Sequence, residues 1–220
     1  MLKNNTRVPL DKFIEKSLFD KSKGYYMVKN PIGYKGDFIT SPNVSVMFSE
    51  MIAIWIISFW KKIGSPKKIN IVELGGGNGE MMFQIIKTIK KFEKFEQSAK
   101  FIILDKSPFL KNMQKIKMKN MNIVWTENIK KISKHPTIFL ANEFFDVFPI
   151  KQFVKKKNLW FEKYIIYKDK TFKFCEKKIM KQNVEKLLGE KIAKNQKFLE
   201  FSKSGLQMLD AVSKKIKKQN

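Results

Sequence analysis

The sequence predicts an α/β protein: a parallel, doubly wound sheet of about four core strands, with a helical and loop extension before it and an antiparallel meander after it. Three observations carry that expectation. The apolar run Ile69-Asn70-Ile71-Val72 enters the turn Glu73-Leu74-Gly75-Gly76-Gly77-Asn78-Gly79-Glu80, and a helical pattern starts at Met81. From there to Ala141 short apolar runs alternate with longer periodic ones, the rhythm of βαβ units. After Pro149 the rhythm changes to short aromatic and β-branched runs broken by charged turns.

The elements follow in order. Leu10, Phe13, Ile14, Leu18 and Phe19 are spaced for one face of a helix between Pro9 and Lys23. An irregular segment rich in turn formers runs from Gly24-Tyr25-Tyr26 through Gly33 to Gly36-Asp37-Phe38-Ile39-Thr40-Ser41-Pro42. A helix is predicted from about Val44 to Lys62, and the turn Gly64-Ser65-Pro66 hands over to the strand ending in Glu73. Then come a helix near 80–94, the strand Phe101-Ile102-Ile103-Leu104 ending at Asp105, and a helix near 108–119. The short strand Asn122-Ile123-Val124-Trp125 and a strand over 137–141 complete the alternation. Four meander strands are expected at 152–154, 159–161, 164–167 and 171–174, then helices at about 184–194 and 198–216 and a lysine-rich tail. The pattern divides the chain into an N-terminal helical segment and active-site loop (1–66), a cofactor-binding core (67–150), and the meander with C-terminal helices (151–220).

Composition narrows the function. The longest apolar run, 51–60, is too short to cross a bilayer, so no membrane span is predicted. Met1-Leu2-Lys3-Asn4-Asn5 lacks the marks of a signal or transit peptide, and the expected location is cytoplasmic. One cysteine, Cys175, excludes an internal disulfide and a thiolate cluster; no metal is expected. The one histidine, His135, sits beside Pro136, which leaves acid–base chemistry to carboxylates. Net charge is +25, which invites a nucleic-acid partner. Yet Arg7 is the only arginine among 45 basic residues, and the Lys, Asn, Ile and Phe enrichment is what A/T-rich codons give, so nucleic acid is the less favoured partner.

The glycine turn discriminates between cofactors. A nicotinamide or flavin fingerprint, G-x-G-x-x-G, needs glycine at position 80, where Glu80 stands. Glu73, Gly75, Gly77 and Gly79 instead spell acid-x-G-x-G-x-G, the pattern expected for S-adenosylmethionine, whose ammonium a carboxylate at the strand end can meet. In a parallel sheet the ligand lies beyond the carboxyl ends of the strands. Asp105 closes the second strand, where it suits ribose hydroxyls or, alternatively, an N-cap ahead of Lys106-Ser107-Pro108. Trp125 can cover an adenine face or belong to the core. Asn142-Glu143-Phe144-Phe145-Asp146 closes the fourth strand, facing the transferring methyl group in this architecture. Amino-group methyltransferases carry Asn-Pro-Pro-aromatic here; Asn142 and Phe145 are kept, while Glu143 and Phe144 replace the prolines. A carboxylate there suits a guanidinium target. The alternative is that Glu143 and Asp146 only cap a following helix.

With these residues in place the chain resembles the MidA-like family of bacterial and mitochondrial S-adenosylmethionine-dependent methyltransferases. Gly24-Tyr25-Tyr26 and Gly36-Asp37-Phe38-Ile39-Thr40-Ser41-Pro42 with Phe48 are similar to its N-terminal signature. Val72 through Gly79, Asp105-Lys106-Ser107-Pro108 with Leu110 and Gln114, and Ala141 through Pro149 match its cofactor loop, second-strand and fourth-strand motifs. Gly76, Asn78 and Asp105 stand where the family usually has proline, arginine and glutamate. The resemblance implies a class I methyltransferase, Rossmann-like sheet in a bacterial protein. It also implies methylation of an arginine of a respiratory complex I subunit, with Asn142, Glu143 and Asp146 at the acceptor and Asp37 as a further catalytic candidate from the loop. It folds the loop around Asp37, Thr40 and Pro42 over the cofactor cleft. Two other functions are weighed: methylation of an RNA base, and a non-catalytic assembly or scaffold protein.

The resemblance further implies a C-terminally truncated sheet, because the family continues into a strand ending in an Asp-Tyr-Gly motif absent here. The strand at 137–141 is then expected to keep an unpaired edge, with part of its apolar face uncovered unless the meander or last helix closes over it. Marginal stability, self-association through that edge and weak activity are the corresponding expectations.

Overall fold

The computed structural model describes residues 5–217. The residues behind the leader reading, 1–4, and the end of the lysine-rich tail, 218–220, lie outside the described residues. The chain starts with β1 (Arg7–Pro9), α1 (Leu10–Phe19), the single turns α2 (Tyr25–Val28) and α3 (Ser41–Val44), and α4 (Val46–Lys62). It continues through β2 (Ile69–Leu74), α5 (Glu80–Ile89), α6 (Glu93–Ser98), β3 (Ala99–Leu104), α7 (Pro108–Lys117), β4 (Ile123–Thr126) and β5 (Thr137–Leu140). It ends with β6 (Lys151–Lys156), β7 (Leu159–Lys168), β8 (Thr171–Ile179), α8 (Lys181–Leu188), β9 (Phe198–Phe201) and α9 (Lys203–Lys217).

Two compact units form, each from two stretches of sequence: Lys21–Asp146 with Met208–Asn220, and Met1–Asp20 with Val147–Gln207. The division at 66 and 150 is one of sequence pattern and stays a proposal beside this one.

The Lys21–Asp146 unit holds a parallel sheet in the order β4-β3-β2-β5. Its central strand, β2, is buried at every position, as a strand covered on both faces must be. Successive side chains leave it on opposite sides. Ile69 and Ile71 join Ala53, Ile56, Ile57 and Trp60 of α4 and Met82, Ile85 and Ile89 of α5. Val72 and Leu74 join Ile102, Leu104 and Ile132, against which Phe139, Met208 and Val212 pack. Asn70 is the polar exception near the strand's start. Its Nδ2 donates to Ser133 O (3.1 Å) and Thr137 Oγ1 (3.0 Å), and its Oδ1 accepts from Ser133 Oγ (3.0 Å). That satisfied amide fixes the entry to β5. β3 and β5 flank β2 on opposite sides, so strand order reverses at the carboxyl end of β2, the place where a parallel sheet takes its ligand.

In the second unit β7 organises everything. β8 pairs along one side of it, from Trp160↔Ile179 to Lys168↔Thr171. β6 and β1 share the other side, at Phe153↔Glu162 and Arg7↔Ile166, and β9 extends the sheet from β6. Phe153, Trp160, Val184 and Ile192 form its core.

Several predicted elements change. The strands expected at 159–161 and 164–167 are one strand, because Glu162 does not break it: Lys151 Nζ donates to its carboxylate at 2.6 Å and to Asp11 at 3.1 Å. The helix expected over 198–216 starts as a strand. Phe198, Leu199 and Phe201 pair with β6, and Ser202, accepting from Gly205 N (3.1 Å), turns the chain into α9. The helix near 80–94 breaks at Lys90–Phe92 into α5 and α6, and β1 was not anticipated. α8 stops at Gly189, whose φ of +78° ends it short of 194. The face of β5 expected to stand open is covered by Met208 and Val212 of α9, while among the described strands β5 pairs with β2 alone.

Replacing Met208 and Val212 together by alanine should therefore lower unfolding free energy by on the order of 2 kcal/mol and raise light scattering on heating. An unchanged denaturation midpoint would show that α9 does not seal the sheet.

Candidate active site

The loop between β2 and α5 is held from several directions. Gly75, Gly77 and Gly79 have φ of +71°, +51° and +81°, the left-handed region that favours glycine. Each is also closely approached: a Cβ would meet Phe144 at 2.7 Å from Gly75, Ile32 at 2.9 Å from Gly77 and Met118 at 3.1 Å from Gly79. Gly76 is tighter still, with Ile103 at 2.7 Å and Gln114 Nε2 at 2.8 Å. The side-chain-free loop is thus required by packing from β3, α7 and both flanking loops, in addition to any ligand.

Gln114, in sequence only one member of the second-strand motif, is the centre of the site. It is 0% exposed. Its Nε2 donates to Gly77 O and to Asp105 Oδ2, both at 2.9 Å, and its Oε1 accepts from Trp125 Nε1 at 3.0 Å. The signal for it was a glutamine inside the apolar stripe Leu110-Gln114-Met118 of α7, at i, i+4, i+8 spacing. Asp105 also accepts from Ser107 N at 2.9 Å, and Ser107, not Asp105, caps α7 by accepting from Leu110 N at 3.1 Å. The capping alternative for Asp105 therefore falls, and each of its oxygens already holds a protein donor. Trp125 packs against the core as well as bonding Gln114.

Glu73 is 3% exposed, and its Oε2 has no hydrogen-bond partner among the described residues. Burial, with the negative charge of Asp105 nearby, pushes its carboxyl up to about 8. Burial also raises Asp105, against the bonds from Ser107, Gln114 and Gly76. A buried acid with a free oxygen, beside a second acid at the next strand end, is a donor set suited to a ligand that brings a cation and hydroxyls. S-adenosylmethionine fits that chemistry through its ammonium and ribose.

The N-terminal segment closes on the same loop. Asn78 Nδ2 donates to Asn43 Oδ1 at 2.7 Å, Asn43 Nδ2 donates to Thr40 Oγ1 at 2.9 Å, and Gly33 lies against Asn78. Ser107 Oγ donates to the Tyr26 carbonyl at 2.6 Å. Asp37 itself is exposed and engaged elsewhere: it accepts from Lys29 Nζ (2.7 Å) and from Tyr25 OH, which hold its carboxyl below the usual range.

Asn142, Glu143 and Asp146 stand in the loop after β5, and the next element is the strand β6. No helix follows for them to cap. Glu143 has φ of +46°, an unfavourable conformation for a residue with a Cβ. Phe144 turns inward against Gly75, and Phe145 meets its edge at 5.3 Å. Tyr26 sits close enough that Asp146 and Glu143 add to burial in raising its phenol. The structure thus ties the glycine loop, Asp105 and Trp125 to Gln114, and brings Tyr26 of the N-terminal signature within electrostatic reach of Asp146 and Glu143.

Over residues 51–219 the chain matches the family described as "Putative S-adenosyl-L-methionine-dependent methyltransferase". It is 29% identical over 179 residues to the Drosophila melanogaster mitochondrial protein arginine methyltransferase NDUFAF7 homolog, 70% of this chain and 40% of that protein. To the Homo sapiens mitochondrial protein arginine methyltransferase NDUFAF7 it is 28% identical over 188 residues, 74% and 43% of the two chains. The chain spans about four-tenths of the length of these curated relatives. Its fold resembles that of a Burkholderia thailandensis protein bound to S-adenosyl-homocysteine, with a TM-score of 0.73 at 16% identity over 94% of this chain and 55% of that one.

Two outcomes follow from the geometry. Between the unfolded carboxyl range and about 8 the folded chain holds a proton on Glu73 that the unfolded chain has lost, so stability falls as pH rises through that window. Denaturant titrations of the wild type and Glu73→Gln should diverge by about 1.4 kcal/mol per pH unit there; parallel curves would show that Glu73 ionises normally. Gln114→Leu, which leaves Asp105 and Trp125 without their partner, should cost on the order of 3 kcal/mol, against little change if the carboxamide only fills space.

Proposed function

This chain belongs to that methyltransferase family, and on that premise we propose that it transfers a methyl group from S-adenosylmethionine to an arginine of a protein. The expected substrate is a respiratory complex I subunit, in a cytoplasmic, bacterial setting. One observation carries the cofactor half of the reading: the buried Glu73 oxygen without a partner, beside a glycine loop that Gln114 holds in shape. Among the described residues no helix is long and apolar enough to cross a membrane.

When bound, S-adenosylmethionine supplies a sulfonium methyl that needs no further activation. The chain's own residues then have simple tasks. Glu73 meets the ammonium, and Asp105 receives ribose hydroxyls on the lone pairs its protein donors leave. Asn142 accepts from the target nitrogen. Glu143 and Asp146 hold the guanidinium by charge-assisted hydrogen bonds and receive the proton that the nitrogen gives up. Tyr26 stands within electrostatic reach of this acidic pair, and Asp37 orders the Tyr25–Tyr26 segment through its bond to Tyr25.

The net charge of +25 keeps an RNA base as the second acceptor. A third reading, a cofactor-binding scaffold, predicts ligand binding without turnover.

Calorimetry should register S-adenosylmethionine and its demethylated product but not nicotinamide dinucleotides; the reverse would sink the cofactor assignment. With labelled cofactor and protein substrate, Glu143→Gln should cut turnover about 10- to 100-fold, the worth of one charge-assisted bond, while cofactor affinity stays within about threefold. Equal loss of both would make Glu143 structural. Label entering folded RNA and not protein would move the assignment to the second acceptor.

A further inference from the structure

α4 presents two apolar faces. One, with Ala53, Ile56, Ile57 and Trp60, is in the core. The other stands in solvent, with Met47 67%, Met51 62% and Trp55 55% exposed, flanked by Ile54 and Phe59. Trp55 and Phe59 stack at 5.5 Å and 16°. Beside them lies a depression of about 460 Å³ lined by Ser45, Met47, Phe48, Met51, Ile52 and Trp55. A helix apolar all round is characteristic of one that is covered on both sides.

We propose that this face docks a second copy of the chain, with two α4 helices packed antiparallel about a two-fold axis near Trp55 and Ile56. The charge pattern selects this occupant. Glu50 is the acid of α4, and Lys61 and Lys62 are its bases. Glu50 and Lys61 are separated by three turns, within about 20° of one another around the helix axis, so they share a flank of the exposed stripe. A two-fold axis perpendicular to antiparallel helices keeps flanks matched. It sets each Glu50 opposite the other copy's Lys61, twice over. Parallel helices would bring opposite flanks together and leave each Glu50 against the apolar flank of Ile52 and Phe59. The opposite flank complements itself in the same way. Phe59 and Ile52 are two turns apart on one side, so each Phe59 falls against the depression around the other copy's Ile52. Seventeen residues make a face about 25 Å long, at the small end of stable interfaces, and the chain's net positive charge opposes association. The association is therefore weak, in the micromolar range. It uses α4 and not the β5 edge.

Sedimentation of the full 220-residue chain across the micromolar range, at physiological salt, tests it. The expected result is a monomer–dimer equilibrium that Trp55→Glu abolishes while its melting temperature stays within a few degrees. Glu50→Lys and Lys61→Glu alone should each weaken the dimer about tenfold, and together restore it to within about threefold. A monomer at every concentration overturns the proposal. So does a dimer that survives Trp55→Glu, or a charge reversal that the second reversal fails to rescue.

Discussion

The glycine loop keeps its shape because one fully buried carboxamide reaches three places at once. Gln114 donates to the loop at Gly77, donates to the end of β3 at Asp105, and accepts from the indole at the end of β4. All of its strong polar groups are used, so no other rotamer satisfies them equally, and in a dry interior that makes the arrangement nearly unique. The geometry also explains why glycine stands at position 76. Any Cβ there would strike Gln114 and Ile103, neither of which is free to move.

From that anchor the acids sort into two kinds. Glu73 and Asp105 are sealed in and resist ionisation, which suits groups that wait for a cation or hydroxyls to arrive. Glu143 and Asp146 are exposed, on a loop whose backbone is strained at Glu143. A site that must meet a large, charged acceptor suits acids of the second kind, which water keeps ionised until the acceptor arrives.

Much of this was legible in the sequence, and the reasons are specific. The stretch Ile69–Leu74 followed by four glycines in five positions admits one local structure, and the alternation after it fixes a parallel sheet. The acids could be placed because strand ends are where this topology presents them. Other parts were not legible because their cause is distant. Phe198 to Phe201 satisfies a strand or a helix equally, and only pairing with β6 decides. Arg7–Pro9 is too short to have a pattern of its own and is a strand only because β7 offers it an edge. A glutamine in an apolar stripe marks Gln114 as buried but does not name its partners, which lie on other elements, and nothing local to Tyr26 marks the influence of Asp146 on it.

The discontinuous pairing of β7 bears on the order in which the chain can fold as it is made. Arg7 pairs with Ile166, so the first strand emerges about 160 residues before its neighbour exists. At translation rates of about 5–20 residues per second, that is a wait on the order of ten to thirty seconds. Throughout it the amphipathic α1 has no sheet to lie against, whereas the segment carrying the parallel sheet emerges whole and can collapse around β2. Ribosome-bound chains should thus pass through a stage with a formed glycine loop and an unattached N-terminus, the stage at which a chaperone would have most to hold.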